Sequence, residues 1–317
     1  METFRYGYFD SSDRPPPILI KHLQNDRIAA TAAQKLCLFR LFPIIFHDLI
    51  DCLPSMIVYK QLRSMVDLVL SIPFRKDWLP VLYDLSVAFH QSMIVHFPDN
   101  MIPKVHFVCE SAQIIQDYGP LRRQWCFRYE AAHAYFKKIA IRSNNFKNVP
   151  KMLATRFTLK QAFRSTRSWS LVDVCSAVGI RKIQTQYINN QIKQILVSHF
   201  GNINFNNDLV ECRKLFYKDI EYCCSAVYII GVDDIDDQPI FGQISFIVKN
   251  EEKWWLVVDL LKIVTYDENM FAWKLISNDD FSVVDPYQLD FYHKGLDFYE
   301  VNNSTYVSFT ARLTSYV

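Results

Sequence analysis

Ile240-Phe241-Gly242-Gln243-Ile244-Ser245-Phe246-Ile247-Val248, then Asn250-Glu251-Glu252-Lys253, then Trp254-Trp255-Leu256-Val257-Val258-Asp259-Leu260-Leu261, is the stretch on which the fold turns. Two short runs rich in β-branched and aromatic residues, joined by a polar turn, predict neighbouring antiparallel strands. The same signal recurs at residues 222–230, 271–276 and 305–313, with turn-forming pieces at 233–239 and 278–280. Five short strands at this spacing predict a small antiparallel barrel or sandwich. Trp254 and Trp255 then face opposite sides of a sheet. One ring belongs to the core, and the other is read as packing in preference to stacking on a base. The acidic run 233–237 lacks the Gly and the closing Glu of a calcium loop, so it is read as a solvated hairpin turn.

Upstream of about residue 200 the pattern is helical. Val58, Leu62, Met65, Val66 and Val69 recur at three- and four-residue steps behind a capping Ser55. Leu82, Leu85, Phe89 and Met93 do the same behind Asp77 and Pro80. Residues 101–108 read as a short extended piece, Gly119-Pro120 as a break, and 121–141 and 149–164 as helices. The pattern from 168 to 199 is weaker and partly helical. The reading is therefore α+β: an extended leader over 1–17, a helical domain over 18–200 and a small antiparallel β domain over 205–317, with the boundary at 195–210.

Composition excludes several classes. Of 317 residues, 50% are hydrophobic and 15% aromatic, too many for a disordered chain. Only 7 are Gly, and neither G-x-G-x-x-G nor a Walker sequence occurs. The 8 Cys never form C-x-x-C and sit mostly in apolar runs, so buried free thiols in a reducing compartment are expected. No Ser or Cys stands in the context of an activated nucleophile. The first 17 residues do not read as a signal peptide. Residues 36–50, interrupted by Arg40, Pro43 and His47, fall short of a membrane span. A soluble intracellular protein without a membrane partner is the expectation.

Charge is divided along the chain. Residues 121–167 hold 12 Lys/Arg and one acid, a net of +11, whereas 205–317 hold 9 Lys/Arg and 19 Asp/Glu, a net of −10. The basic side chains with the clearest claim on phosphates are Arg122, Arg123, Arg128, Lys137, Lys138, Arg142, Lys147, Lys151 and Arg156. The competing reading is internal: the acidic β domain masks the basic segment, leaving a non-enzymatic interaction module. Within the basic segment Glu130 and His133 lie one helical turn apart, as a metal-binding pair would. A single E-x-x-H is short of a di-iron bundle. The simpler reading is a carboxylate neutralised by Arg123, Arg128 or Lys137. His106 reads as structural, and His90 and His96 share a helix without forming a site.

The runs Met101-Ile102-Pro103-Lys104-Val105-His106-Phe107, Tyr118-Gly119-Pro120-Leu121, Phe127-Arg128-Tyr129-Glu130-Ala131-Ala132-His133, Phe136-Lys137-Lys138 and Asn145-Phe146-Lys147-Asn148-Val149 together resemble transposase-derived proteins related to CACTA (En/Spm-like) transposases. Tyr6-Gly7-Tyr8, Asp13-Arg14-Pro15, residues 31–38 and Phe241-Gly242-Gln243-Ile244 extend the likeness over nearly the whole chain. The resemblance implies a ribonuclease-H-like nuclease, in which three acids hold two Mg or Mn ions. Glu130 matches the last acid, and residues 18–100 match the helical insertion before it. The two Asp that should precede it belong upstream of residue 1, because Asp10 and Asp13 lie in a Pro-rich leader without strand context. One carboxylate does not make a two-metal site. The expectation is a DNA-binding remnant, nuclear by resemblance with the cytoplasm as the other option. It carries no catalysis or cofactor of its own, unless a second copy or another chain completes the metal site.

Overall fold

The computed structural model describes residues 4–24, 28–71, 74–121, 127–143, 147–166, 175–183, 188–201, 205, 209–217, 220–233, 235–289 and 295–311. It has a helical region followed by an antiparallel β region, the α+β organisation expected. The helices are α1 (Ile20–Gln24), α2 (Ala32–Ile45), α3 (Met56–Val69), α4 (Leu79–His96), α5 (Pro103–Cys109), α6 (Ser111–Tyr118), α7 (Phe127–Ser143), α8 (Val149–Thr166) and α9 (Asn190–Phe200).

α2 begins at a reciprocal cap. Gln34 N donates to Thr31 Oγ1 at 3.3 Å, and Thr31 N donates to Gln34 Oε1 at 3.0 Å. Its buried residues Cys37, Leu41 and Ile44 recur at helical spacing and pack with Met56 of α3 and with Met270, Ala272, Tyr299 and Val301 of the β region. α3, α4 and α6 form a core of their own through Val58, Met65, Leu68, Leu82, Phe89, Ala112 and Ile115. The expected stripes are thus in place, but not the expected caps. Ser55 lies in helical backbone and makes no cap hydrogen bond. Asp77 sits in a 3₁₀ turn before α4, where Arg75 holds it at 2.7 Å. Residues 101–108, expected to be extended, are α5 instead: Pro103 supplies the first helical turn, where its missing N–H is harmless.

Among the described residues there are twelve strands: β1 (Ser176–Val178), β2 (Arg181–Lys182), β3 (Leu209–Cys212), β4 (Lys214–Tyr217), β5 (Ile220–Cys223), β6 (Val227–Val232), β7 (Pro239–Asn250), β8 (Lys253–Asp267), β9 (Ala272–Ile276), β10 (Phe281–Val284), β11 (Tyr299–Val301) and β12 (Ser304–Val307). The first two precede the boundary placed at 195–210. β7 and β8 form the central hairpin through a turn in which Glu251 has φ 53°. The large sheet runs β11-β12-β9-β8-β7-β3-β2, with β6 added on β7 and β10 on β8, and β1-β4-β5 form a second sheet. Register shifts between Ile244 and Phe246 and between Ile263 and Thr265 break both long strands. Such bulges bend the strands, so one end of β8 pairs with β7 and β10 while the other pairs with β9.

Residues 222–230, read as one strand, are two. Ser225 has φ 67°, and the chain turns there from β5 in the small sheet to β6 in the large one. Trp254 enters the core between the sheets, with Tyr222, Tyr228 and Ile247. Trp255, on the other face, packs under α9, 4.8 Å from the His199 ring and 5.5 Å from Phe200. Both rings are therefore packed, as the preferred reading had it. The 233–237 run is the β6–β7 turn, closed by Asp233 N donating to Gln238 O at 2.8 Å.

The leader is part of the core. Asp10, 4% exposed, accepts from Tyr299 and pairs with Arg40 of α2 at 2.5 Å. The N–H groups of Phe9 and Asp10 donate to Asp297 at 3.3 and 2.9 Å. Arg40 Nη1 also donates to Ser308 O at 2.6 Å. Leader, second helix and last strands are thereby tied at one point.

Candidate nucleic-acid interface

α7 and α8 form a helical hairpin joined through Lys147 and Asn148, where Asn148 adopts φ 54°, a left-handed conformation Asn tolerates. Phe136 of α7 stacks near Phe157 of α8 with ring centroids 5.4 Å apart. Lys160 Nζ lies 3.7 Å from the Tyr135 ring centroid, a cation–π contact between the same helices.

The outer surface of this hairpin is basic. Lys137, Lys138 and Arg142 of α7, Lys147 in the turn, and Lys151 and Arg156 of α8 are all exposed. Among the described residues, Lys137, Lys138, Arg142, Lys151 and Arg156 form no ion pair, with the acidic β region or elsewhere. Lys138 and Arg142 are four residues apart on one helix, a like-charge arrangement that weakens a helix by a few tenths of a kcal/mol. Helix stability does not call for this arrangement, whereas a polyanion would. Ile141, Leu159 and Phe163 of the same hairpin are 73%, 63% and 58% exposed.

The other site residues fall less favourably. Arg122 and Arg123 lie outside the described residues, as do the side chains of Arg128 and Glu130. The backbone of α7 carries Glu130 and His133 in unbroken helix, one turn apart, and His133 is exposed. Among the described residues no group of three or more His, Cys, Asp or Glu is arranged to hold a metal ion. Asp10 is committed to Arg40 and Tyr299. His106 is exposed and lies 3.0 Å from Glu110 on its own helix.

The described cysteines are free thiols. Burial, with neighbouring thiols and Glu211 adding to it, pushes Cys212 up to about 12. Burial, with Glu221 beside it, does the same to Cys223. These shifts oppose thiolate formation, so neither is an activated nucleophile. Among the described residues no helix is long and apolar enough to cross a membrane.

Two arginines, Arg63 fully buried and Arg40 largely so, escape a reading of the sequence. Arg40 stands there only as an interruption of an apolar run. Arg63 is 0% exposed, donates to Asp67 Oδ2 at 3.1 Å and to Phe309 O at 2.8 Å, and lies over Phe271 at 5.5 Å. An arginine inside an apolar helical run is the available signal, because such a charge is buried only with partners.

Set against known protein families, curated proteins and solved structures, the chain matches none of them.

Proposed function

We propose that this chain binds the phosphate backbone of DNA through the α7–α8 hairpin, and that it descends from a CACTA-like, ribonuclease-H-like transposase without being a nuclease by itself. The observation that carries the reading is the cluster of exposed cations Lys137, Lys138, Arg142, Lys151 and Arg156, none of them in an ion pair among the described residues. Ionic contacts to phosphates require clustered Lys and Arg but no complete catalytic site. The resemblance supplies the transposase ancestry, with Glu130 as the last acid. In that reading Mg or Mn enters only when a second copy or another chain completes the site.

A titration of labelled duplex and single-stranded DNA across a salt series, with and without Mg²⁺ or Mn²⁺, tests it. Binding that weakens steeply with salt, and weakens at all sequences when Lys137, Lys138, Arg142 and Lys151 are changed to Gln, is the expected result. Absence of binding at low salt removes the proposal. Cleavage with Mn²⁺ that disappears in Glu130→Gln overturns its non-catalytic half.

The exposed Ile141, Leu159 and Phe163 favour a second reading, a protein-interaction surface on the same hairpin. Replacing these three by Ser separates the two. DNA affinity is retained if the cations act alone and falls if association between proteins comes first.

A further inference from the structure

We infer that the cleft between α3 and the β6–β7 and β8–β9 turns is a binding site for an organic cation, an alkylammonium group carried by a free polyamine or by a lysine side chain. The cleft encloses about 640 Å³, a volume suited to a small ligand. Asp67 of α3, Asp236 and Asp237 of the β6–β7 turn, Glu268 of the β8–β9 turn, and the rings of Tyr266 and Trp273 all line it.

The chemistry of the lining selects the charge. Asp67 is largely buried, and only its Oδ2 is engaged, by Arg63 Nε at 3.1 Å. Its Oδ1 is buried without a hydrogen-bond partner. A carboxylate oxygen left in that state calls for a donor. Arg63 does not supply it in this arrangement: its Nε goes to Oδ2, its Nη2 goes to Phe309 O at 2.8 Å, and its own Nη1 is buried without a partner. Among the described residues Lys60 is the one basic residue lining the cleft, and it is turned to Asn269 Oδ1 at 2.5 Å. The rim acids Asp236 and Glu268 are exposed, as is Asp237, whose charge also acts on Arg75. Tyr266 and Trp273 form an aromatic wall with centroids 4.7 Å apart, and aromatic faces attract cations and cover methylene chains. A metal ion would want a tight cage of oxygens. Here the carboxylates are spread over three elements beside aromatic rings, the arrangement suited to a cation with an apolar chain.

Calorimetric titration of the full chain with spermidine, with a trilysine peptide and with Mg²⁺ at matched ionic strength tests this. At least one of the two amines is expected to bind and Mg²⁺ not to displace it. If spermidine binds, the source is a free polyamine. If only the peptide binds, the source is a protein lysine. Asp67→Asn should weaken binding at least tenfold and Trp273→Phe severalfold. Should Asp67→Asn fail to fold, the exposed pair Asp236→Asn and Glu268→Gln gives the same test with a smaller loss. Absence of binding by both amines, affinity indifferent to these substitutions, or displacement by Mg²⁺ overturns the inference.

Discussion

At the scale of single residues, two buried ion pairs set the behaviour of the protein, and they differ in how well they are compensated. Asp10 receives Arg40 at 2.5 Å together with the Tyr299 hydroxyl. Burial pushes the Tyr299 hydroxyl far up, with the Asp10 charge adding to it, so this tyrosine donates and does not ionise. Arg40→Ala would leave the Asp10 carboxylate buried without its counter-charge, at a cost of about 3–5 kcal/mol. A shift of the urea midpoint measures it. Asp67 is the opposite case. Burial raises it from 3.8 to about 6, more than the opposing attraction of Arg63 lowers it. The folded state then holds the proton more tightly than the unfolded chain, so this contribution to stability is full below pH 3.8 and is lost as pH rises to about 6. The span between those two values makes the loss about 3 kcal/mol, at about 1.4 kcal/mol for each tenfold change in proton affinity. Asp67→Asn should flatten the stability profile over that window, as read by urea unfolding at closely spaced pH values.

Among the elements, capping gives the clearest contrast. Thr31 completes a reciprocal cap on α2, whereas Ser55, which the sequence offers as a cap for α3, makes no such bond. Thr31→Ala should lower stability by about 1 kcal/mol and Ser55→Ala by far less, measured by thermal unfolding of the two variants side by side. The same contrast explains what is legible in the sequence. The stripes of α3 and α4 can be read because a helix buried on one face repeats its apolar residues at fixed steps. The central hairpin can be read for the same reason, though β8 runs on past Leu261, the end expected from the sequence. The continuation keeps its β-branched and aromatic residues in Ile263, Val264, Thr265 and Tyr266, but it opens on Lys262 and is largely solvated. α5 reads as extended because Val105 and Val108 carry β propensity, while the helix-starting role of Pro103 is positional. The break at Ser225 has no signal: a serine in left-handed backbone is imposed by two sheets meeting, not by local preference. Of the basic interface, the residues and their clustering are plain from composition. Their exposure depends on α7 and α8 pairing through Phe136 and Phe157, a contact no local pattern reveals. The aromatic-walled cleft is invisible in the sequence, because Asp67 and Trp273 meet only through the packing of α3 on the sheet.

For the molecule as a whole, the separated charges make ionic strength the natural variable. If the five exposed cations Lys137, Lys138, Arg142, Lys151 and Arg156 each meet a phosphate, the logarithm of duplex affinity should fall with that of salt at a slope of about −4.5, from −0.9 per contact. Each Lys→Gln change should reduce the slope by about one. A slope near zero in fluorescence-anisotropy titrations would show that the cations do not meet phosphate.

The knot of contacts joining Asp10, Arg40, Tyr299 and Ser308 also bears on how the protein is made. α2 is made well before Met270, Ala272, Tyr299, Val301 and Tyr306, which supply much of the surface that covers Cys37, Leu41 and Ile44. During synthesis this helix waits with part of its apolar face bare until β11 and β12 emerge, and Asp10, made before it, waits for the Tyr299 hydroxyl. Contacts of such long sequence separation form slowly. A chain halted before residue 299 would keep the helical core of α3, α4 and α6 but would leave α2 sticky, a species for a chaperone to hold and a protease to find.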